Sequence, residues 1–318
     1  MKVFITGATG ILGRRVVQLL IGSGNRVVGL SRSQASTEWL IRHGAEAREG
    51  DLFDQEEICE LSSDCNAVFH LATAIPTEPR ATLSDWQMND RIRRQGTRVT
   101  VEATLRNKCE LYLTQSVTFL YGDRNGDWVD ENTPIPAQQA SVLQSAFDLE
   151  KIVQKAITGH GLPAILLRFG SFYCYDSIQT QSMFAAMRQG SYPMIGDGSV
   201  YRNNIHVDDA ASAVLKVVEN YRNGLGGTFI VCDDEPVLNR DLLNYIAEVL
   251  GAEKPGRISV SEAKESLGPH IVEFLLASVR CSNHLAKERL GWRPQYPTYR
   301  EGYRAAIEKW LLSIGLEI

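Results

Sequence analysis

The sequence predicts an α/β fold on a doubly wound parallel sheet, and three observations carry that prediction. Short β-branched or apolar runs at residues 3–5, 27–30, 67–71, 111–113, 164–167 and 228–231 alternate with helical patterns, as parallel strands joined by crossover helices require. The first run leads into Thr6-Gly7-Ala8-Thr9-Gly10-Ile11-Leu12-Gly13, a glycine-spaced turn that opens the amphipathic segment Arg14-Arg15-Val16-Val17-Gln18-Leu19-Leu20. A second strand, Arg26-Val27-Val28-Gly29-Leu30, follows where a βαβ unit needs one.

Each glycine of the turn has its own task. Gly7 permits the bend, Gly10 lets backbone approach a pyrophosphate, and Gly13 lets the helix lie close on its strand. Unpaired N–H groups at the helix start then face an anion. Gly7, Thr9, Gly10, Ile11, Leu12 and Gly13 are therefore expected to hold a dinucleotide in a Rossmann-type domain. Residues 84–105 and 142–157 read as long helices. In the second, Val142, Ala146, Leu149, Val153 and Ala156 form one stripe, which Leu143, Phe147, Ile152 and Ile157 widen beyond a single contact face. We expect a homodimer to cover the surplus; deep burial of the helix explains the same breadth.

Beyond Arg168 the character changes. A loop rich in glycine and tyrosine precedes a helix around residues 182–189 and the turn Gly196-Asp197-Gly198. Surface helices at 238–250 and 299–312 are separated by Lys254-Pro255-Gly256 and Trp292-Arg293-Pro294. The expected division is a dinucleotide-binding domain of residues 1–168 plus 203–233, with a smaller C-terminal α/β substrate-binding region of residues 169–202 plus 234–318.

The 318 residues, 44% hydrophobic and 22% charged, have the composition of a soluble protein. A net charge of -5 argues against a nucleic-acid partner. The one basic cluster, Arg91, Arg93, Arg94 and Arg98, reads as a solvated or subunit-facing helix surface. Six scattered cysteines contain no Cys-x-x-Cys, and none stands at metal-ligand spacing from a histidine. That pattern predicts reduced thiols and no metal site. No apolar stretch has the length of a membrane span, and the first strand begins too early for a cleavable targeting segment, so a cytoplasmic location is expected.

These motifs together resemble the extended short-chain dehydrogenase/reductase family of epimerases, dehydratases and reductases. Thr6 to Gly13 looks like its Thr-Gly-x-x-Gly-x-x-Gly, and Gly50-Asp51-Leu52-x-Asp54 is similar to its adenine-contacting loop. His70-Leu71-Ala72 matches the strand end beside the nicotinamide ribose, which also implicates Thr73. Tyr121-Gly122, Arg168, His206-Val207-Asp208-Asp209-Ala210 and Leu290-Gly291-Trp292-x-Pro294 follow in the family's order. Members carry Tyr-x-x-x-Lys four residues ahead of a common glutamate. Anchored on Glu150, the lysine position is Ala146 and the tyrosine position Val142; the catalytic serine or threonine position is Val117. No Tyr-x-x-x-Lys occurs anywhere in residues 110–165, so another alignment cannot restore it. The family tyrosine is a general acid or base because a neighbouring lysine lowers its pKa from about 10. Valine and alanine cannot do that work.

The resemblance also bears on the cofactor. NAD-preferring relatives place an acidic residue at the end of the second strand; here the stretch is Leu30-Ser31-Arg32-Ser33. The Ser31 hydroxyl and Arg32 guanidinium suit a 2′-phosphate, so NADP(H) is expected over NAD(H). Arg14 and Arg15, in the first helical turn where the helix dipole disfavours cations, would be offset by a bound anion or lie on the surface.

Few polar groups are available to replace the missing catalytic ones: Thr118, Tyr173 and Tyr201 are the candidates. The implied substrate pocket, lined by Ile75, Val117, Val142, Ser171, Phe172, Met183 and Met187, is apolar and aromatic. Arg202 matches the family arginine that grips a nucleotide-sugar diphosphate, and would pair with an anionic substrate group. Ser171 stands where relatives carry a sugar-contacting asparagine, which points away from a sugar nucleotide. Three readings follow for a small-molecule substrate: a reductase acting on a hydrophobic or aromatic metabolite with an anionic or polar handle and no Tyr-Lys relay; a non-redox isomerase or cyclase with a structural dinucleotide; and a catalytically silent NADP(H) sensor.

Overall fold

Seven parallel strands form the sheet that the alternation predicts. The computed structural model describes residues 1–78 and 81–316. The strands are β1 (Lys2–Thr6), β2 (Arg26–Ser31), β3 (Glu46–Glu49), β4 (Ala67–His70), β5 (Leu111–Val117), β6 (Ala164–Phe169) and β7 (Gly227–Val231), in spatial order β7-β6-β5-β4-β1-β2-β3. Chain direction across the sheet reverses next to β1, which leaves a crevice at the carboxyl ends of β1 and β4.

Side-chain alternation sends each strand's apolar residues to both faces. On one face Val3, Ile5, Phe69, Leu113 and Leu167 pack beneath α1 (Ile11–Gly22), α2 (Gln34–Arg42) and, later in the chain, α8 (Val207–Asn220). On the other, Phe4, Val68, Tyr112 and Leu166 meet α3 (Gln55–Leu61), α5 (Thr97–Arg106) and α6 (Gln144–His160). A short helix α4 (Gln87–Arg91) runs into α5 through a π-helical turn, Ile92–Gly96, so the expected helix at 84–105 is continuous but locally widened. The helix expected at 142–157 begins later: Ser141–Leu143 form a 3-10 turn leading into α6.

The C-terminal half builds a second core. Phe184, Met187, Ile246, Tyr303 and Trp310 join α7 (Ile178–Arg188), α9 (Asn239–Val249) and α13 (Tyr299–Ser313). Two helices that the sequence reading passed over, α10 (Val260–Leu267) and α11 (Pro269–Leu276), follow a Ser259/Glu262 capping box, and α12 (His284–Arg289) precedes the Trp292 turn. That turn docks where the Trp292 indole donates to the Asp209 carbonyl at 3.1 Å and the Asp209 carboxylate accepts the Gln295 and Tyr296 N–H groups. Among the described residues no helix is long and apolar enough to cross a membrane.

Candidate functional site: a glycine cradle beside an apolar cluster

The turn between β1 and α1 is shaped so that no side chain fits in it. Gly7 has φ +76°, and a Cβ there would lie 2.6 Å from the Ala72 backbone. One at Gly13 would lie 2.0 Å from the Gly7 carbonyl oxygen. Gly10 ends the turn as the cap of α1 without a capping side chain, so the first N–H groups of the helix are left for an anion. The bare backbone and open helix end fit a dinucleotide's phosphates.

Beside this cradle α2 begins with Ser33, whose hydroxyl accepts the Ser36 N–H at 3.3 Å; Ser36 Oγ lies 3.5 Å from Thr9 Oγ1. Arg32 is exposed and has no ion pair among the described residues. Ser31 corrects the sequence reading. Its hydroxyl is fully buried, donates to the Ser33 carbonyl at 3.1 Å and lies 2.7 Å from Thr37 Oγ1, so it fastens α2 instead of facing a ligand. Arg15 is a second correction: it pairs with Asp208 at 2.5 Å and Asp176 at 2.6 Å, so its charge is met within the protein. Arg14 lies over the Trp39 ring at 5.4 Å. At the next strand ends Asp51 is exposed and accepts the Phe53 N–H, whereas Leu52 is buried against Gly96. Leu71 is buried, Ala72 half-buried and Thr73 exposed.

Polar side chains at the ends of β4 and β5 are tied into the scaffold. His70, buried, lies 2.7 Å from Thr6 Oγ1 and 3.3 Å from the Ile92 carbonyl, and burial lowers its pKa to about 4 against the pull of that carbonyl. Arg168 holds Glu150 through two bonds, 2.9 and 2.7 Å, and donates to the Tyr121 phenol at 2.7 Å, while Ser116 donates to Glu150 at 2.5 Å. This network pins α6 to β5 and β6, and so fixes where residues 142–146 lie.

Those residues meet Val117 in space. Val142, Leu143, Ala146 and Leu120 form one apolar cluster, with Val117, Trp86, Phe119, Ile271 and Phe274 packed on it. The helix α11 seals it, its Phe274 ring edge-on to Phe119 at 4.4 Å. The three positions that the resemblance assigns to serine, tyrosine and lysine are thus neighbours, and all are hydrocarbon.

The proposed substitutes lie elsewhere. Thr118, the first residue after β5, opens the 3-10 turn Thr118–Tyr121 and is buried against the Cys281 thiol, away from the Val117 cluster. Tyr173 is buried in the second core, stacked on Tyr303 at 3.9 Å, its phenol against Gly302 and without a hydrogen-bond partner among the described residues; burial raises its pKa well above the usual value. Tyr201 lies between Gly126 and Arg280, whose guanidinium is 4.9 Å from its ring. Met183 and Met187 pack in the second core as well, and Phe172 packs with Phe169 on the α1 side of the sheet. Ser171 is half-buried in the pair formed by Ser171–Tyr173 and Asn204–His206, and Ile75 is exposed. Arg202 donates to the Leu275 and Ala277 carbonyls at the end of α11, and to Asn239 at 3.4 Å. It therefore caps that helix, with no carboxylate paired to it among the described residues. Burial lowers its pKa to about 10, the Tyr192 phenol opposing.

The basic helix surface also divides. Arg94 pairs with Asp148 at 2.7 Å, Arg91 covers the Phe53 ring at 3.7 Å and Arg98 is exposed. Arg93 instead turns inward and is 6% exposed. Its position was readable: it continues the stripe of Asn89, Thr97, Thr100 and Thr104, all buried.

Known proteins share this fold. The sequence profile of the NAD dependent epimerase/dehydratase family matches residues 3–232. A 3-diazoavenalumate denitrifying reductase from a Streptomyces species is 26% identical over 311 residues, 95% of this chain and 99% of the relative. The 4-hydroxy-2-methyl-3-oxo-4-farnesyl-3,4-dihydroquinoline-1-oxide ketoreductase of Stigmatella aurantiaca is 25% identical over 286 residues, 88% and 83% of the two chains. Among solved structures, the Thermotoga maritima UDP-glucose 4-epimerase with UDP-glucose superposes with a TM-score of 0.79 at 21% identity, covering 99% of each chain. A human epimerase family protein with NADPH gives 0.80 at 16% identity, covering 97% and 99%. With the profile spanning the whole sheet from β1 to the end of β7, this chain belongs to the NAD dependent epimerase/dehydratase family.

Proposed function

We propose that this protein is an NADP(H)-dependent reductase for a hydrophobic or aromatic metabolite with an anionic or polar handle, working without the Tyr-Lys relay. One observation carries the reading. An intact dinucleotide cradle stands beside a cluster in which Val117, Val142 and Ala146 offer no proton. Gly7, Gly10 and Gly13 with the start of α1 hold the pyrophosphate; Arg32, Ser33 and Ser36 take the 2′-phosphate. Bound there, the cofactor supplies a hydride.

A substrate that needs the hydride and no acid suits such a site. At a diazonium carbon the step balances without a proton: a C–H bond forms, the C–N bond breaks, and its electron pair leaves with dinitrogen. The Streptomyces relative, by name a denitrifying reductase of a diazo compound, supports this class, and the ketoreductase relative supports reduction more broadly. Val117, Val142, Phe119, Ile271 and Phe274 keep water from the reacting carbon, which matters for a group that water also attacks. Residues 169–202 plus 234–318 serve as the substrate side of the site. Half-buried Phe147 and Ile152 on α6, with exposed Met88 on α4, form the face that joins two copies.

Anaerobic mixing of the NADPH-loaded protein with aryl diazonium carboxylates, enones and ketones tests the reading. Loss of NADPH absorbance with release of dinitrogen or reduced product is expected. Turnover with unchanged cofactor absorbance would make the protein an isomerase, and ligand binding without turnover would make it a sensor. For the cofactor, Arg32→Ala is expected to weaken NADPH about tenfold and leave NADH unchanged, since only the former loses a charge-assisted contact. Equal weakening of both would contradict the 2′-phosphate assignment.

A further inference from the structure

The inward arginine of the π turn carries a charge that the fold does not explain. Arg93 Nη1 is buried without a hydrogen-bond partner among the described residues, and no carboxylate lies within ion-pair distance of it. Of the acids nearest along the helices, Arg94 binds Asp148 at 2.7 Å and one oxygen of Asp90 at 3.4 Å, while Asp90 Oδ1 is buried without a hydrogen-bond partner among the described residues. Burial lowers the pKa of Arg93 to about 10, with Asp90 opposing, so the side chain is still a cation at neutral pH. An unpaired buried charge of this kind is strongly destabilising, and a protein has no structural reason to keep it.

Its surroundings point to the cleft. One turn before it, Asn89 accepts the Ala74 N–H at 3.1 Å, which ties this face of the helix to the loop after β4. Directly before it, the Ile92 carbonyl meets His70 at the end of β4, and Gly96 lies against the same imidazole. The π turn packs on α6, where Ser145, next to Ala146, is also buried with an unpartnered hydroxyl. Trp86 Nε1, Asn89 Nδ2 and Thr97 Oγ1 on the same stripe lack partners too. Groups left unpaired in a buried patch each cost free energy, and here the donors of Trp86, Asn89 and Arg93 outnumber the one unpartnered carboxylate oxygen, Asp90 Oδ1, which leaves room for an added acceptor. Widened π turns recur at such functional positions.

We propose that Arg93 is an anion-recognising residue of this cleft, which takes a carboxylate or enolate oxygen of the substrate beside the hydrocarbon positions 142 and 146. It supplies, from a different helix, positive charge in the neighbourhood where position 146 has none. Arg202 spends its donors on the end of α11; Arg93 Nη1 meets no acceptor among the described residues. The inference deepens the proposed function and takes from it only that a small molecule enters this cleft.

The test is equilibrium binding to the NADP⁺-loaded protein, with trans-cinnamate and the neutral trans-cinnamamide as probes, read by calorimetry. Wild type is expected to favour the carboxylate by about tenfold or more, the worth of one charge-assisted contact. Arg93→Met abolishes that preference, and Arg93→Lys restores most of it. The apo Arg93→Met protein melts no lower than wild type, because it loses an unpaired buried charge. Four results would each overturn the proposal: no carboxylate preference in wild type, including no binding of either probe; preference retained in Arg93→Met; preference lost only in Arg202→Met; or a melting temperature that drops sharply in Arg93→Met. Absence of NADPH oxidation with every substrate would defeat the reductase reading and leave the carboxylate preference intact.

Discussion

Glu150 shows what one side chain fixes. It receives two bonds from Arg168 and one from Ser116, all buried, and so locks α6 against β5 and β6. Glu150→Ala would strand the Arg168 guanidinium without its counter-charge, at a cost of about 3–5 kcal/mol in urea unfolding; a loss below about 1 kcal/mol would show that the network is not needed. His70 has a pH signature. Its pKa falls from 6.5 to about 4 on burial, so between those values the unfolded chain binds a proton that the folded chain does not. Stability from neutral His70 is therefore complete above pH 6.5 and drains as pH falls toward 4, at a slope of about 1.4 kcal/mol per pH unit. His70→Asn removes that slope, and parallel pH profiles for the two proteins would contradict the assignment. At this scale the sequence was only partly legible. Glu150 and Arg168 were located only as landmarks of the family resemblance; that they pair could not be read, because the contact joins a helix and a strand distant in sequence. Tyr173 and Ser31 were misplaced, since whether a polar side chain turns inward depends on partners distant in sequence, Tyr303 and Gly302 for one.

At the scale of elements, the β1–α1 turn works because three positions have no Cβ. Gly13→Ala would put a carbon 2.0 Å from the Gly7 oxygen and push α1 off its strand, so NADPH binding in a fluorescence titration is expected to fall below detection. Unchanged affinity would show that the turn is not the dinucleotide site. The apolar strands and the amphipathic helices were readable because burial imposes a period of two or of 3.6 on their residues. β3 was not: Glu46-Ala47-Arg48-Glu49 carries charge on an edge strand, where one side meets solvent and Lys2, Arg48 and Asp64 form ion pairs. The two-residue strands such as Tyr201–Arg202 are too short to show any period. Helix α11 had a visible start signal in Pro269, yet its role as cover over Val117 and Val142 comes from tertiary packing alone.

For the whole molecule, the doubly wound sheet and the cleft at its carboxyl edge follow from local patterns repeated in order, which is why they are legible in the sequence. The chemistry is less legible for a physical reason. A motif shows where a site's expected groups would stand, here at 117, 142 and 146, but groups that could take their place come from other elements, as we propose for Arg93 on the π turn. The central claim is hydride delivery from NADP(H) in a site that contributes no proton. Its most direct test is single-turnover oxidation of protein-bound NADPH by an aryl diazonium carboxylate, followed by stopped flow across the pH range where the substrate is stable. The account predicts deuterium transfer from labelled NADPH into product at a rate flat in pH. A rate that follows the titration of a protein acid, or product formed without oxidation of NADPH, would contradict it.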